Sequence, residues 1–178
     1  MKCSDYLYFN INQLTFMKKT SHILLLLCFM SSCDLFKTAN EYYLEAETFR
    51  KDGKPEEAIK LLKKITTKFS DDAKAPDAQY LIAEIYYRDL QDFSKSIGDY
   101  RKFSAAFPEN NKAPFSIFMQ GYIYANELMN HDSASIIYKN FIDKYPNHEM
   151  VESVKFELKY LGLGINEIPE LKHLIEKK

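Results

Sequence analysis

Three cysteines and four histidines are the side chains best suited to covalent or metal chemistry, and their positions limit what they can do. Cys3, Cys28 and Cys33 all precede Asp34, so the body of the chain has no thiol for a disulfide, a nucleophile or a metal. His22, His131, His148 and His173 are scattered, and no H-E-x-x-H or Cys/His pattern unites them. There is no Gly-rich phosphate loop, no G-x-S-x-G and no paired-carboxylate context beyond surface Asp and Glu. The reading is therefore no catalytic residue, no metal and no cofactor, which disfavours an enzyme. A net charge of −1 supplies no basic field for a nucleic acid. Gly (5) and Pro (6) are too scarce for a turn-rich β fold, so helices are expected.

Cys33 is the exception to this chemical silence. Residues 17–33 read MKKTSHILLLLCFMSSC: two lysines, an apolar run from Ile23 to Met30, two serines, then the cysteine. That is the order of a secretory signal, and the run is far shorter than the roughly 20 residues needed to span a bilayer. The small pair before Cys33 resembles a bacterial lipobox, with Met30 where such motifs usually carry Leu. The resemblance implies cleavage before Cys33 and acylation of its sulfur, leaving no free thiol. Each buried CH₂ contributes about 0.8 kcal/mol, so two or three acyl chains hold a protein firmly on a bilayer. Residues 1–16 fit no signal layout and are read as a mis-assigned extension upstream of a start at Met17, the alternative being a long leader. Removing residues 1–32 leaves 21 basic and 24 acidic side chains, a net charge near −3.

The body repeats itself. Ala58, Ser96 and Ala134 recur at a constant interval of 38, as do Leu62, Tyr100 and Tyr138, then Ile65, Phe103 and Phe141, then Phe69, Phe107 and Tyr145. Within a copy these fall at steps of 4, 3 and 4, the apolar stripe of an amphipathic helix. A preceding helix in each copy carries a small residue, Ala46, Ala83 or Gly121, and three places later an aromatic one, Phe49, Tyr86 or Tyr124. Pro76 and Pro114 stand where those helices begin, where a missing N–H costs nothing. Small residues facing Ala58, Ser96 and Ala134 would let paired helices approach closely.

This pattern resembles the tetratricopeptide repeat, W-x₂-L-G-x₂-Y followed by A-x₃-F and a closing Pro. The first copy reads Tyr42-x₂-Glu45-Ala46-x₂-Phe49, then Ala58-x₃-Leu62, with Ser70 at the proline place. The second reads Gln79-x₂-Ile82-Ala83-x₂-Tyr86, then Ser96-x₃-Tyr100 and Pro108. The third reads Ile117-x₂-Gln120-Gly121-x₂-Tyr124, then Ala134-x₃-Tyr138 and Pro146. The period of 38 exceeds the usual 34. The resemblance implies an all-α fold, a right-handed α-solenoid of about three and a half helical hairpins plus a short C-terminal helix. The expected organisation is a signal peptide over 17–32, a lipidated tether over 33–38 and a repeat domain over 39–162. Its repeats span about 39–72, 75–110 and 113–148, with a half-repeat over 149–162 that shields the open end. Residues 163–178 form a tail whose helix starts near Pro169 and turns Leu171, Leu174 and Ile175 to one side.

First helices of such repeats line a concave groove. One recurring place holds Tyr43, Tyr80, Phe118 and Phe156; a second holds Glu47, Glu84 and Tyr122; a third holds Arg50, Tyr87 and Ala125, with Lys51, Arg88 and Asn126 beside it. Aromatics and Arg carry most interface energy, so this ladder suits an extended peptide or a partner helix. The same rings also suit packing between hairpins, and the sequence leaves both roles open. The chain is similar to the BamD-like lipoproteins of outer-membrane β-barrel assembly and to the Tol–Pal-associated periplasmic repeat proteins. Those resemblances imply a lipid-anchored interaction scaffold of the cell envelope, outer membrane facing the periplasm, with protein and bilayer as partners. Asp34 after the cysteine leaves the choice of membrane open. The alternative is a lipoprotein that captures glycan or peptide in the aromatic groove.

Overall fold

The computed structural model describes residues 37–169. Cys33, the signal, His22 and the tail with Leu171, His173, Leu174 and Ile175 lie outside the described residues. The chain divides into two units, Met1–Thr38 and Ala39–Lys178, and the repeats belong to the second.

Among the described residues there are seven α-helices, one short 3₁₀ turn and no strand. They are α1 (Ala39–Lys51), α2 (Pro55–Lys68), α3 (Ala75–Arg88), α4 (Phe93–Ala106), α5 (Ala113–Asn126), α6 (His131–Lys144) and α7 (Val151–Lys159), with the turn at Ile165–Glu167. Each packs chiefly on its neighbours in sequence, giving the hairpins α1–α2, α3–α4 and α5–α6. The all-helical, tetratricopeptide-like stack read from the periodicity is the observed fold. No described helix is long and apolar enough to cross a membrane.

The stripe residues make the core. Ala58, Ser96 and Ala134 are fully buried, as are Leu62, Ile65, Phe103, Tyr138 and Phe141, with Tyr100 1% exposed. Burying each large side chain contributes on the order of 1.5–3 kcal/mol. Three core groups overlap in their helices: α1, α2 and α3, then α3, α4 and α5, then α5, α6 and α7. No hairpin therefore has a core of its own. Close approach depends on the small residues. A Cβ on Gly121 would lie 2.5 Å from Cε1 of the Tyr138 ring. Between α3 and α4 the Ser96 hydroxyl, in the place held elsewhere by Ala, donates to the Ala83 carbonyl at 2.9 Å.

The turns repeat as strictly as the core. Between paired helices the residue at positive φ is Gly53 (71°), then Gln91 (52°), then Met129 (49°), each one full repeat after the last. The left-handed conformation costs a non-Gly residue about 1–2 kcal/mol, so the second and third turns are held against their own preference. One residue on, Asp92 and Asn130 cap α4 and α6 by accepting the N–H of Lys95 and Ser133, while Lys54 makes no such cap and Pro55 opens α2. Between hairpins, Asp72, Asn110 and His148 do one job with three chemistries. Their side chains accept the N–H of Lys74, Lys112 and Met150 at 2.8, 3.0 and 3.2 Å.

The C-terminal end differs from the expectation in detail. The half-repeat helix runs only over Val151–Lys159, nine residues. Gly162 is left-handed (φ 84°) and lies against the His131 ring. Gly164 is extended instead and opens the 3₁₀ turn, its N–H donating to Glu167.

Two glycines test this packing in opposite directions. Gly121→Ala is expected to lower stability by about 1–3 kcal/mol through overpacking against Tyr138. Gly98→Ala, in α4 with nothing within 4 Å of the added carbon, is expected to raise it by up to about 1 kcal/mol. The midpoints of urea unfolding followed by circular dichroism read both. Equal midpoints for the two variants would contradict the close approach.

Candidate functional site

The ladder residues sit on the first helices α1, α3, α5 and α7, because a spacing of 37 or 38 returns each to the same helical place. Their environments are not alike. Tyr43 is half-buried beneath the Lys74 ammonium, 4.8 Å from the ring centre. Tyr80 is only 9% exposed and packs edge-on to Tyr100 and Phe103 at 5.6 and 5.2 Å, with the Lys112 ammonium 5.0 Å from its ring. Phe118 stacks on Tyr138 at 6.1 Å and meets Phe115 and Tyr122. Phe156 is 37% exposed and lies 4.8 Å from Tyr160. The ladder thus runs from packing in the middle to exposure at the C-terminal end.

The third place is a joint between successive hairpins. Arg50 Nε donates to the Asp89 carboxylate at 2.6 Å, and Tyr87 Oη donates to Glu127 at 3.0 Å. Arg50 and Tyr87 are equivalent residues, and Asp89 and Glu127 both end a first helix. Guanidinium and phenol make the same reach, from one hairpin to the next. Arg88, exposed, pairs along its own helix with half-buried Glu84 at 3.8 Å. Glu47 is half-buried, Lys51 is exposed, and Asn126 is exposed with its amide on the Tyr122 carbonyl at 3.1 Å.

Electrostatics ties these groups into one surface. Burial, then the charges of Glu47, Asp77 and Glu84, push the Tyr43 hydroxyl up to about 12. Burial and Glu84 push Tyr80 up to about 12, against the pull of Arg88 and a hydrogen bond with Tyr100. Burial and the bond to Glu127 push Tyr87 up to about 12. The three phenols stay protonated, as neutral donors beside carboxylates, over the whole physiological range. Such a face can hold a polypeptide by ring contact and hydrogen bonding. Among the described residues no group of three His, Cys, Asp or Glu is arranged to hold a metal.

At the C-terminal end the ladder opens into a cleft of about 630 Å³. Tyr122, Asn126 and Phe156 line it, joined by Met129, Glu157 and Tyr160, which sequence reasoning does not select. Burial lifts the Glu157 carboxyl above the usual range. Tyr160 has a signal in its place four residues after Phe156. Met129 has one in its equivalence to Gly53, which marks a turn position where an apolar side chain projects; it is 71% exposed.

A family model described as YfiO, outer membrane lipoprotein, matches residues 36–165, the whole of the repeat region and little else. The chain belongs to this family. A search of curated proteins gave no match. The YfiO family is one of outer membrane lipoproteins, so membership supports a place in the cell envelope and the lipoprotein side of the resemblance read from the repeats.

The raised phenols of this YfiO-family chain make stability depend on alkali. An unfolded tyrosine ionises near 10, whereas Tyr43, Tyr80 and Tyr87 ionise near 12 when folded. The unfolded chain therefore loses protons first, and their contribution, complete below pH 10, is lost as pH rises from 10 through 12. The urea midpoint is expected to fall across that window, and Tyr87→Phe to make the fall shallower. An unchanged slope in Tyr87→Phe would show that this phenol is not linked to folding.

Proposed function

We propose that this chain is a lipid-anchored scaffold on the periplasmic side of the outer membrane. It is acylated at Cys33 and holds a protein or peptide partner along its first-helix face, in the service of outer-membrane protein assembly. The observation that carries the reading is that face itself. Glu47, Glu84, Tyr122 and Arg88 stand half-buried or exposed on the successive first helices α1, α3 and α5, beside the rings of Tyr43, Tyr80 and Tyr87, whose phenols stay neutral. Rings with polar tips and an Arg–Glu pair are the side chains that anchor polypeptide interfaces. Membership of an outer membrane lipoprotein family supports the anchor, as does Cys33 directly after Ser31 and Ser32.

The ladder's uneven burial divides its labour. Tyr80 and Arg50 join helices, whereas Glu47, Glu84, Arg88, Tyr122 and Phe156 offer atoms to a partner. A photo-crosslinking residue in place of Glu84 or Tyr122 in living cells is expected to capture one defined envelope protein. The same residue in place of Ile136, 67% exposed on α6, is expected not to capture it. Capture of glycan alone from Glu84 and Tyr122 would favour the ligand-capture reading instead. Fatty-acid labelling is expected for the native chain and lost in Cys33→Ala; label retained by that variant would place the anchor elsewhere.

A further inference from the structure

Charge divides between the two layers of helices. The second helices α2, α4 and α6 carry nine basic and five acidic side chains, whereas the first helices α1, α3 and α5 carry three basic and five acidic. One place supplies a cation in every complete hairpin. Lys63, Arg101 and Lys139 stand a full repeat apart on α2, α4 and α6, and all three are exposed. Other cations of this layer are already engaged: Lys60, Lys95 and Lys102 each pair with a carboxylate three residues earlier, Glu57, Asp92 and Asp99. Among the described residues no ion pair engages Lys63, Arg101 or Lys139.

Packing does not account for the repetition. The Lys63 ammonium stands 6.0 Å from the centre of the Tyr86 ring, at the outer limit of a cation–π contact, so it remains available to a ligand. A neighbouring outer place changes freely, from Lys60 to Gly98 to Ile136. Solubility is served by either sign of charge, so a place that takes a cation three times is matched to something anionic. A bilayer is the anionic surface at hand, since the chain belongs to a family of outer membrane lipoproteins. Five residues lie between Cys33 and Ala39, and each spans at most about 3.6 Å, so an acylated Cys33 would hold α1 within roughly 20 Å of the headgroups. Confinement of that kind raises the effective concentration, so weak contacts suffice.

We propose that this stripe is a second membrane contact, in which Lys63, Arg101 and Lys139 lie on anionic phospholipid headgroups. Acyl chains fix where a protein is held but not which way it faces. The stripe sets the facing: the second helices lie toward the lipid, and the first-helix face is presented to a partner on the other side. This orienting role rests on the anchored scaffold proposed above.

The test uses the full chain carrying Cys33→Ala, sedimented with vesicles of phosphatidylcholine alone or of equal parts phosphatidylcholine and phosphatidylglycerol. The anionic vesicles are expected to bind it more tightly, and the preference to fade as salt shortens the Debye length. Lys63→Gln, Arg101→Gln and Lys139→Gln together are expected to weaken binding to the anionic vesicles about a hundredfold, or about fivefold per cation. Lys51→Gln, Lys54→Gln and Arg88→Gln remove the same charge from exposed sites on first helices and a turn, and are expected to leave binding unchanged. Any pull from the apolar run Ile23–Met30 is common to all these chains. Equal binding to the two kinds of vesicle would overturn the proposal, and so would equal losses in the two triple variants, which would show attraction to net charge alone. A photo-crosslinking residue in place of Arg101 in living cells is expected to capture phospholipid; capture of an acidic protein instead would assign the stripe to that protein and overturn the membrane contact. Because the vesicle measurement dispenses with Cys33, its failure leaves the anchor standing, and loss of the anchor in fatty-acid labelling leaves the vesicle result standing.

Discussion

A ring on one helix needs a gap on its neighbour, and that steric demand organises the stack. Tyr138 lies where only glycine at position 121 leaves room, and Leu62 and Tyr100 occupy the same place opposite Ala46 and Ala83. Once paired helices approach this closely, their stripes interlock and neither can slide without losing packing on both sides. The second consequence is lateral. The hairpin's outer rings are too many for its own seam, so they pack into the next hairpin, and the three core groups share helices. Local fit inside a pair thus produces cohesion between pairs.

Elsewhere geometry persists while chemistry changes. A carboxylate, an amide and an imidazole take the same backbone N–H at Asp72, Asn110 and His148. A guanidinium and a phenol make the same reach at Arg50 and Tyr87. Glycine, glutamine and methionine all adopt the left-handed turn at 53, 91 and 129. In each set the backbone path is demanded by the packing on either side, so any side chain with an acceptor, a donor or tolerable strain serves. The tyrosines combine both roles: their rings complete the joints, and their hydroxyls, raised by burial, supply donors on the first-helix face.

Periodicity is the most legible feature, because the regular spacing of buried positions survives replacement of Leu by Tyr or Ala by Ser. Helix ends and hairpin pairing follow from it and from the prolines. The capping equivalence of His148 with Asp72 is not legible, since residue type hides it until the hydrogen bonds are seen. The uneven ladder is not legible either. Tyr80 and Phe156 look alike in register, but Tyr80 packs on Tyr100 and Phe103 of α4 whereas Phe156 meets Tyr160 of its own segment and is 37% exposed, a difference set by the neighbours. The cleft escapes for a related reason. It is assembled from α5, the turn at Met129, the start of α6, α7 and the segment after it, so no local pattern announces it.

The junctions at Asp72, Asn110 and His148 give this architecture a grammar of interchangeable blocks. Each junction hands the chain to the next helix through the same three hydrogen bonds, so a whole repeat unit can be duplicated or deleted in the gene without a new joint being invented. Length, and with it the distance over which the molecule extends, then varies in steps of one hairpin rather than by residue. Selection can trim or extend such a protein to fit the span between two fixed surfaces while every interior contact stays as it was.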